Sequence, residues 1–174
     1  VASRGLGDVY KRQIYNKVKK YPWHEMPKID GWEQGTNLDY MKEISNYWVK
    51  DFNWRTHESA INKFSNFRTK VDDFDIHFIQ EKGSGSKPIP LLIMHGWPGS
   101  ILEFLHIIEK LAHPEKFGGK EEDSFDVIVP SLPGFGFSGK PSGPMGPRKM
   151  ANIFNKLMID NLGFKNYIAQ GGDW

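Results

Sequence analysis

The chain has 174 residues, of which 39% are hydrophobic and 25% are charged, with a formal net charge of +2 and no cysteine. This composition is typical of a globular protein and excludes a disordered, collagen-like or disulfide-rich chain. The lack of cysteine also excludes iron–sulfur sites, zinc ribbons and thiol nucleophiles. Because 23 basic and 21 acidic residues are well mixed, the charge pattern gives no reason to expect nucleic acid or an anionic membrane as a partner. A small molecule or another protein is the expected partner.

The first segment, residues 1–13, has no initiator methionine, and Asp8 to Gln13 resembles the translated end of a transposon used in DNA library preparation. We interpret residues 1–13 as a sequencing or cloning scar and exclude them from the predicted fold. No apolar run approaches the roughly 18 residues that a membrane-spanning helix needs, and no signal-peptide pattern opens the chain. We therefore expect no membrane anchor and a cytoplasmic location.

Residues 14–69 are rich in aromatic and charged side chains and predict a helical N-terminal region. Apolar residues recur at three- and four-residue spacing after a capping residue, Thr36 or Asn37, and this pattern predicts an amphipathic helix. The apolar residues are Leu38, Met41, Ile44 and Trp48. A second, short helix is predicted from Trp54 to Phe64. The aromatic faces of this region have to be buried against something larger.

The pattern changes from helical to alternating at Phe67. Alternate apolar residues on both sides of the pair Asp72-Asp73 predict a hairpin of two half-buried strands that ends near Gln80. Beyond it, short apolar runs alternate with helical patterns: strand 91–94, helix 100–112, strand 127–129, helix 147–162 and strand 167–169. Such an alternation predicts an open α/β sheet with right-handed crossovers.

The strongest chemical signal is the sequence Gly171-Gly172-Asp173-Trp174, directly after the last predicted strand when that strand is extended to Gln170. In α/β-hydrolases the nucleophile lies on a sharp strand-to-helix turn written small-x-nucleophile-x-small, because small residues permit the strained backbone there. Gly171 is the first small residue of that pattern, Gly172 follows it, and Asp173 occupies the position of the nucleophile. The alternative is an ordinary turn, since Gly-Gly-Asp is common in loops.

A second signal follows strand 91–94, in the sequence His95-Gly96-Trp97-Pro98-Gly99-Ser100. Open α/β sheets bind their ligands at such turns. An α/β-hydrolase builds its oxyanion hole from one backbone N–H of this loop and one of the residue after the nucleophile, and these are Trp97 and Trp174 here. We interpret His95 as a structural residue that braces the turn, because the catalytic histidine of this fold follows the nucleophile in the chain.

The segment Ser131 to Pro141 contains a literal G-x-G-x-x-G at Gly134, Gly136 and Gly139. In a dinucleotide site these glycines open a helix directly, but a proline- and glycine-rich run intervenes here, and Asp160, at the spacing of a ribose-binding acid, falls late in a helix. We therefore predict a tight loop that lines the mouth of the active site, and no cofactor. The remaining histidines lack the pairing and the carboxylate neighbours of a metal site, so we predict no metal.

The motifs HGWPGS, SLPGFGFSGKP and QGGDW, in this order, make the sequence similar to the epoxide hydrolases of the microsomal and juvenile-hormone type, a family of α/β-hydrolases. Upstream, the segments 32–41, 47–48, 52–55 and 76–78 look like the characteristic N-terminal region of that family. The resemblance covers residues 22–174. It implies that residues 14–69 form the family's N-terminal region and residues 70–174 the N-terminal half of an α/β-hydrolase domain, so that we expect a truncated chain.

For the chemistry, the resemblance implies that Asp173 attacks an epoxide carbon and that water then hydrolyses the alkyl-enzyme ester to a vicinal diol. A carboxylate suits this attack on an sp³ carbon, whereas serine suits acyl transfer. The amides of Trp97 and Trp174 stabilise the oxyanion of the second step. The family's histidine base, its acidic partner and its lid tyrosines lie downstream of the nucleophile. We therefore expect an epoxide and water as partners, and no activity from this chain alone.

Two alternatives stay open on the residues alone. Haloalkane dehalogenases share the layout and an aspartate followed by tryptophan, but they typically carry Asn or Glu after the His-Gly pair, where this sequence has Trp97. The chain also fits a catalytically incomplete fragment that binds or packs without turnover. The sequence identifies neither the epoxide nor the oligomeric state, since the walls that select a substrate belong mostly to the downstream lid.

Overall fold

The computed structural model describes residues 7–28 and 31–173. These residues fall into two compact units, one within Arg4–Ser59 and the other within Ala60–Trp174. The division lies upstream of the predicted boundary between residues 69 and 70. That boundary stays a prediction, as does the foreign origin of residues 1–13.

The first unit is helical. It contains helix α1 (Asp8–Lys19), a short 3₁₀ turn (Trp23–Glu25), helix α2 (Leu38–Lys50) and most of helix α3 (Trp54–Ile61). The cap of α2 is Asn37, whose side-chain oxygen accepts the backbone N–H of Tyr40 at 3.1 Å. The predicted amphipathic helix is therefore confirmed, and of the two candidate caps, Thr36 and Asn37, Asn37 is the one used.

Helices α1 and α3 differ from the sequence-based expectations at their ends. Helix α1 begins at Asp8, inside the segment excluded above, and the Asp8 carboxylate accepts a hydrogen bond from Arg55 on α3 at 2.9 Å. Helix α3 ends at Ile61 rather than at Phe64, because the Phe64 N–H bonds to the Ile61 carbonyl at 3.3 Å in a tight turn. This turn leads into the first strand.

The described part of the second unit is built on a five-stranded sheet. Its strands are β1 (Ser65–Val71), β2 (Phe74–Glu81), β3 (Ile89–Met94), β4 (Phe125–Pro130) and β5 (Ile168–Gly171), in the spatial order β1-β2-β4-β3-β5. Strands β1, β2 and β4 pair antiparallel, whereas β4, β3 and β5 run parallel. The predicted hairpin and the predicted open α/β sheet are confirmed. The expectation that both hairpin strands are half-buried is wrong for β2, which is buried on both faces from Ile76 to Ile79 because it also pairs with β4 inside the sheet.

Two helices, α4 (Leu105–Ala112) and α5 (Pro147–Lys156), complete the unit. Along β4, Ile128 points into a core cluster that contains Phe154 of α5, and its neighbours Val127 and Val129 point to the other face of the sheet. Helix α4 packs against β2 and β4, and its residue Ile108 is fully buried. Burial of β4 on both faces is what its continuous apolar run predicts.

The predicted helix 100–112 is wrong in its first turn, which is a separate 3₁₀ turn (Ile101–Glu103) before α4. Its cause is a capping box at Ser100. The Glu103 carboxylate accepts the Ser100 N–H at 2.9 Å, and the Ser100 hydroxyl accepts the Leu102 N–H at 3.3 Å. These short-range bonds wind the turn more tightly than an α-helix.

The predicted helix 147–162 begins at Pro147, as the sequence indicates, but it is regular only to Lys156. It continues as a wider π turn (Leu157–Asn161), in which Leu157 and Met158 are both fully buried. Within the described ranges, no helix has both the length and the apolar character needed to cross a membrane.

Candidate active site

Three turns meet at one edge of the sheet, because β3, β4 and β5 are parallel and end on the same side. They are residues 95–100, residues 131–139 and residues 172–173. Together with α5 they surround a cleft of about 640 Å³, whose walls are mostly apolar. The main apolar members are Met94, Leu132, Phe135, Met150 and Phe154, and the ionisable members are His95 and Asp173.

Asp173 occupies an unusual backbone conformation directly after β5. Its φ is +69°, in the left-handed region that costs a residue with a side chain about 1–2 kcal/mol. Such a turn presents the side chain at the end of a strand, as a nucleophile turn requires. Gly171 is the last residue of β5, and Gly172 and Asp173 line the cleft.

The turn after β3 touches Asp173 through Gly96. A Cβ atom built on Gly96 would overlap the Asp173 Cβ, and it would lie 2.8 Å from the Asp173 Cγ and 3.1 Å from the Gly172 carbonyl oxygen. Only glycine leaves room for this approach. The two turns therefore hold each other at van der Waals distance.

His95 is buried, at 3% exposure, and hydrogen bonds involve both of its ring nitrogens. The backbone N–H of Leu132 donates to Nε2 at 3.1 Å, so Nε2 carries no proton. Nδ1 lies 3.0 Å from the Gly96 carbonyl oxygen and donates to it. His95 thus connects the turn after β3 to the loop after β4, and neither nitrogen is oriented toward Asp173 as a base.

The structure describes only one residue of the predicted oxyanion-hole pair, Trp97. Trp97 follows Gly96 and lines the cleft, with 59% of its surface exposed. The peptide bond from Trp97 to Pro98 is cis. Trp174 lies outside the described residues, so the pairing of the two amides stays a prediction.

The glycine loop after β4 folds back on itself. Gly134 and Gly136 have φ values of +87° and +48°, and the Gly134 N–H donates to the Gly139 carbonyl at 2.9 Å. This folding turns Phe135 into the wall of the cleft. The loop does not open a helix, since α5 begins only at Pro147, and no group of three potential metal-ligating side chains occurs in the part of the chain that the structure describes.

Several residues of the cleft carry no motif that predicts their place there. Met94, Met145, Met150 and Phe154 reach it from the end of β3, the approach to α5 and α5 itself. The backbone N–H of Leu132, which holds His95, was not predicted either. Met145 and Met150, on either side of Pro147, were a usable signal. Helix α5 begins at the edge of the sheet where ligands bind, and apolar side chains near the start of such a helix usually pack against the ligand site.

Comparison with known proteins decides the family. A family model described as "Epoxide hydrolase N terminus" matches residues 8–104, and a second, described as "alpha/beta hydrolase fold", matches residues 89–174. The chain belongs to the epoxide hydrolase family. The resemblance found in the motifs is confirmed, and so is the α/β-hydrolase fold.

Individual members of the epoxide hydrolase family resemble the chain over most of its length. It is 40% identical over 167 residues to "Epoxide hydrolase 1" of Sus scrofa, covering 92% of this chain and 36% of that protein. It is 41% identical over 146 residues to "Juvenile hormone epoxide hydrolase 1" of Ctenocephalides felis, covering 82% and 31%. The crystal structure of juvenile hormone epoxide hydrolase from Bombyx mori matches with a TM-score of 0.86 at 28% identity, covering 99% of this chain and 41% of that one. The chain spans about a third of the length of these curated relatives.

Proposed function

We propose that the protein carrying this chain is an epoxide hydrolase with Asp173 as its nucleophile. The placement of Asp173 carries the proposal. It lies at the carboxyl edge of the sheet, beside an apolar cleft, on a turn with positive φ that Gly96 packs against. Membership of the epoxide hydrolase family selects this chemistry over halide displacement, which the same nucleophile supports.

In the first step, a carboxylate oxygen of Asp173 attacks one carbon of the epoxide. An ester C–O bond forms while the ring C–O bond breaks, and the ring oxygen takes up a proton. The proton donors that the resemblance implies are lid tyrosines, which we expect downstream of Asp173. The Asp173 carboxylate is exposed in the described structure, and the apolar walls formed by Phe135, Met150 and Phe154 lie beside it, where they favour binding of an apolar epoxide next to the nucleophile.

In the second step, water attacks the carbonyl carbon of the ester and gives its proton to the histidine base that the resemblance implies downstream of Asp173. The negative charge that develops on the carbonyl oxygen is stabilised by the backbone N–H groups of Trp97 and Trp174. Collapse of this intermediate releases the vicinal diol and regenerates the Asp173 carboxylate with one oxygen from water. His95 takes no part in proton transfer, because Leu132 and Gly96 engage its ring nitrogens.

We propose apolar epoxides as the substrate class, in a role of detoxification and aromatic hydrocarbon catabolism in the cytoplasm. The walls of the cleft support the substrate class, since methionine and phenylalanine side chains pack against aromatic rings and adapt to different shapes.

Isotope labelling in a single turnover tests the two-step mechanism. A complete protein carrying this chain, in excess over styrene oxide in ¹⁸O-labelled water, is expected to form diol without label. The label is expected in the peptide that contains Asp173, because the diol receives an oxygen of Asp173 and the water oxygen enters the carboxyl group. Mass spectrometry of the diol and of the peptides measures both.

Peptides that contain Asp160 or Asp123 serve as internal controls and are expected to stay unlabelled. Label in the diol of the first turnover indicates direct attack by water and contradicts the covalent mechanism. The absence of any diol contradicts the proposed function, and release of chloride from a chloroalkane without diol formation favours a dehalogenase.

A further inference from the structure

A fully buried histidine, His77, lies in the middle of β2 and does not line the cleft. Its ring is packed edge-on against Phe137, with ring centroids 5.1 Å apart. A buried imidazole is costly unless its nitrogens are hydrogen-bonded. Both nitrogens of His77 have partners, and these partners lead from β1 toward the site described above.

The first partner is Asn66, which is 1% exposed on β1. Its side-chain amide nitrogen donates to the carbonyl oxygens of Ile61 at 3.0 Å and Phe64 at 2.8 Å. These two bonds use both amide hydrogens and fix which atom is the oxygen. The Asn66 Oδ1 faces His77 Nε2 at 2.9 Å. Since Oδ1 only accepts, His77 Nε2 carries the proton.

The second partner is Ser131, a fully buried residue directly after β4. With Nε2 protonated, the neutral ring of His77 accepts at Nδ1, and the Ser131 hydroxyl donates to it at 2.9 Å. The Ser131 backbone N–H also donates to the His77 carbonyl at 2.9 Å. Ser131 is thus held by both its side chain and its backbone.

Ser131 is the first residue of the glycine loop, and the loop is tied to His77 a second time. The Ser138 hydroxyl donates to the Ser131 carbonyl at 2.7 Å and accepts the His77 N–H at 3.0 Å. Leu132 lies between these two anchors, Ser131 and Ser138, and its N–H donates to His95 Nε2. His95 in turn bonds to Gly96, which packs against Asp173.

We propose that His77 is a positioning residue for the nucleophile turn. It acts on this turn through Ser131, Leu132 and His95. The two histidines hold opposite tautomers, with the proton on Nε2 in His77 and on Nδ1 in His95. In these tautomers each ring donates one hydrogen bond and accepts another. The directions of the hydrogen bonds from Asn66 to Gly96 are therefore all determined. This inference rests on the proposed function, since it is the reaction at Asp173 that the arrangement serves.

Nuclear magnetic resonance of the complete protein, labelled with ¹⁵N-histidine, tests the tautomers without any substrate. At neutral pH, His77 is expected to show a protonated Nε2 and a bare Nδ1, and His95 the reverse. Ser131→Ala is expected to shift the Nδ1 resonance of His77 and the Nε2 resonance of His95. Ser124→Ala is the matched control, because Ser124 is equally buried and its hydroxyl accepts the Gly85 N–H at 2.9 Å at the opposite edge of the sheet. It is expected to leave both histidines unchanged.

Kinetics of the same variants separate positioning from simple stability. Ser131→Ala is expected to lower kcat for an epoxide about tenfold or more, with KM within about threefold, because small displacements of reacting groups are costly. Ser124→Ala is expected to lower the melting temperature comparably while kcat stays within about twofold.

His77→Gln keeps a donor for Asn66 but offers Ser131 no ring acceptor. Combined with Ser131→Ala, it is expected to cost no more than the larger single effect.

The proposal is overturned by a proton on Nδ1 of His77, or by a kcat of Ser131→Ala that matches that of Ser124→Ala. If Ser131→Ala does not fold, the proposal is tested by the tautomers of His77 and His95 in the wild-type protein. A wild-type protein that shows the expected tautomers but turns over no epoxide counts against the proposed function, and not against the hydrogen-bonded chain.

Discussion

Replacement of Asp173 by asparagine is expected to lower turnover of an epoxide by about 10³-fold or more. The carboxamide is nearly the same size as the carboxylate, but its oxygen is a poor nucleophile for an sp³ carbon. Asparagine also tolerates a φ of +69°, where alanine is strained. The melting temperature is therefore expected to stay close to that of the wild type. Initial rates of diol formation and thermal melts measure the two effects.

Asp123→Asn is the matched control for this experiment. Asp123 is exposed and lies just before β4, at the edge of the sheet opposite to the cleft. Its replacement is expected to leave both rate and stability unchanged. Covalent labelling of the protein by epoxide should disappear in Asp173→Ala. Labelling that persists in Asp173→Ala refutes the nucleophile assignment. So does an Asp173→Asn variant that keeps more than a tenth of the wild-type rate, provided that mass spectrometry verifies the asparagine.

The elements that were predicted correctly are those whose signals are local. The run Leu91 to Met94 predicts β3 because a strand buried on both faces needs consecutive apolar residues. The pair Thr36-Asn37 predicts the start of α2 because either side chain can replace a missing backbone partner. Neither signal requires knowledge of any distant residue. The turn of the hairpin at Asp72, where φ is +52°, is local in the same sense.

The parts that sequence analysis missed depend on contacts between distant segments. His95 and Leu132 are 37 positions apart, and only the parallel register of β3 and β4 brings them together. The pair Asn66 and His77 was closer to prediction. With a two-residue turn at 72–73, Asn66 is opposite Ile79 and diagonal to His77 across the hairpin. What the pattern does not supply is the third partner, Ser131, which directly follows β4.

The functional motifs were located from sequence because they follow buried strands, whose ends meet at one edge of an α/β sheet. Their mutual distances were not available, since a one-residue change of register between parallel strands moves a side chain by several ångströms. The contact of Gly96 with Asp173 is of this kind. A glycine in a turn has many explanations, and only the structure shows that the nucleophile itself excludes a side chain there.

Gly96→Ala is expected to lower kcat by about 10²-fold and the free energy of unfolding by about 1–3 kcal/mol. The added methyl group would overlap the Asp173 Cβ and crowd the Gly172 carbonyl oxygen. Both lie on or next to the backbone, so no flexible side chain moves aside and the two turns must separate. Gly143→Ala is the control, because a Cβ there meets nothing within 4 Å. It is expected to stay within about 0.5 kcal/mol and twofold of the wild type.

The two half-reactions are expected to respond differently to Gly96→Ala. Formation of the ester needs mainly the carboxylate of Asp173 and the bound epoxide, whereas its hydrolysis also needs the N–H of Trp97, which directly follows Gly96 in the chain. Displacement of Gly96 moves that amide away from the developing oxyanion. The alkyl-enzyme ester should therefore accumulate, and rapid quenching with mass spectrometry should detect more of it than in the wild type. Equal slowing of both steps would show that the contact positions the nucleophile alone and that the oxyanion is stabilised elsewhere.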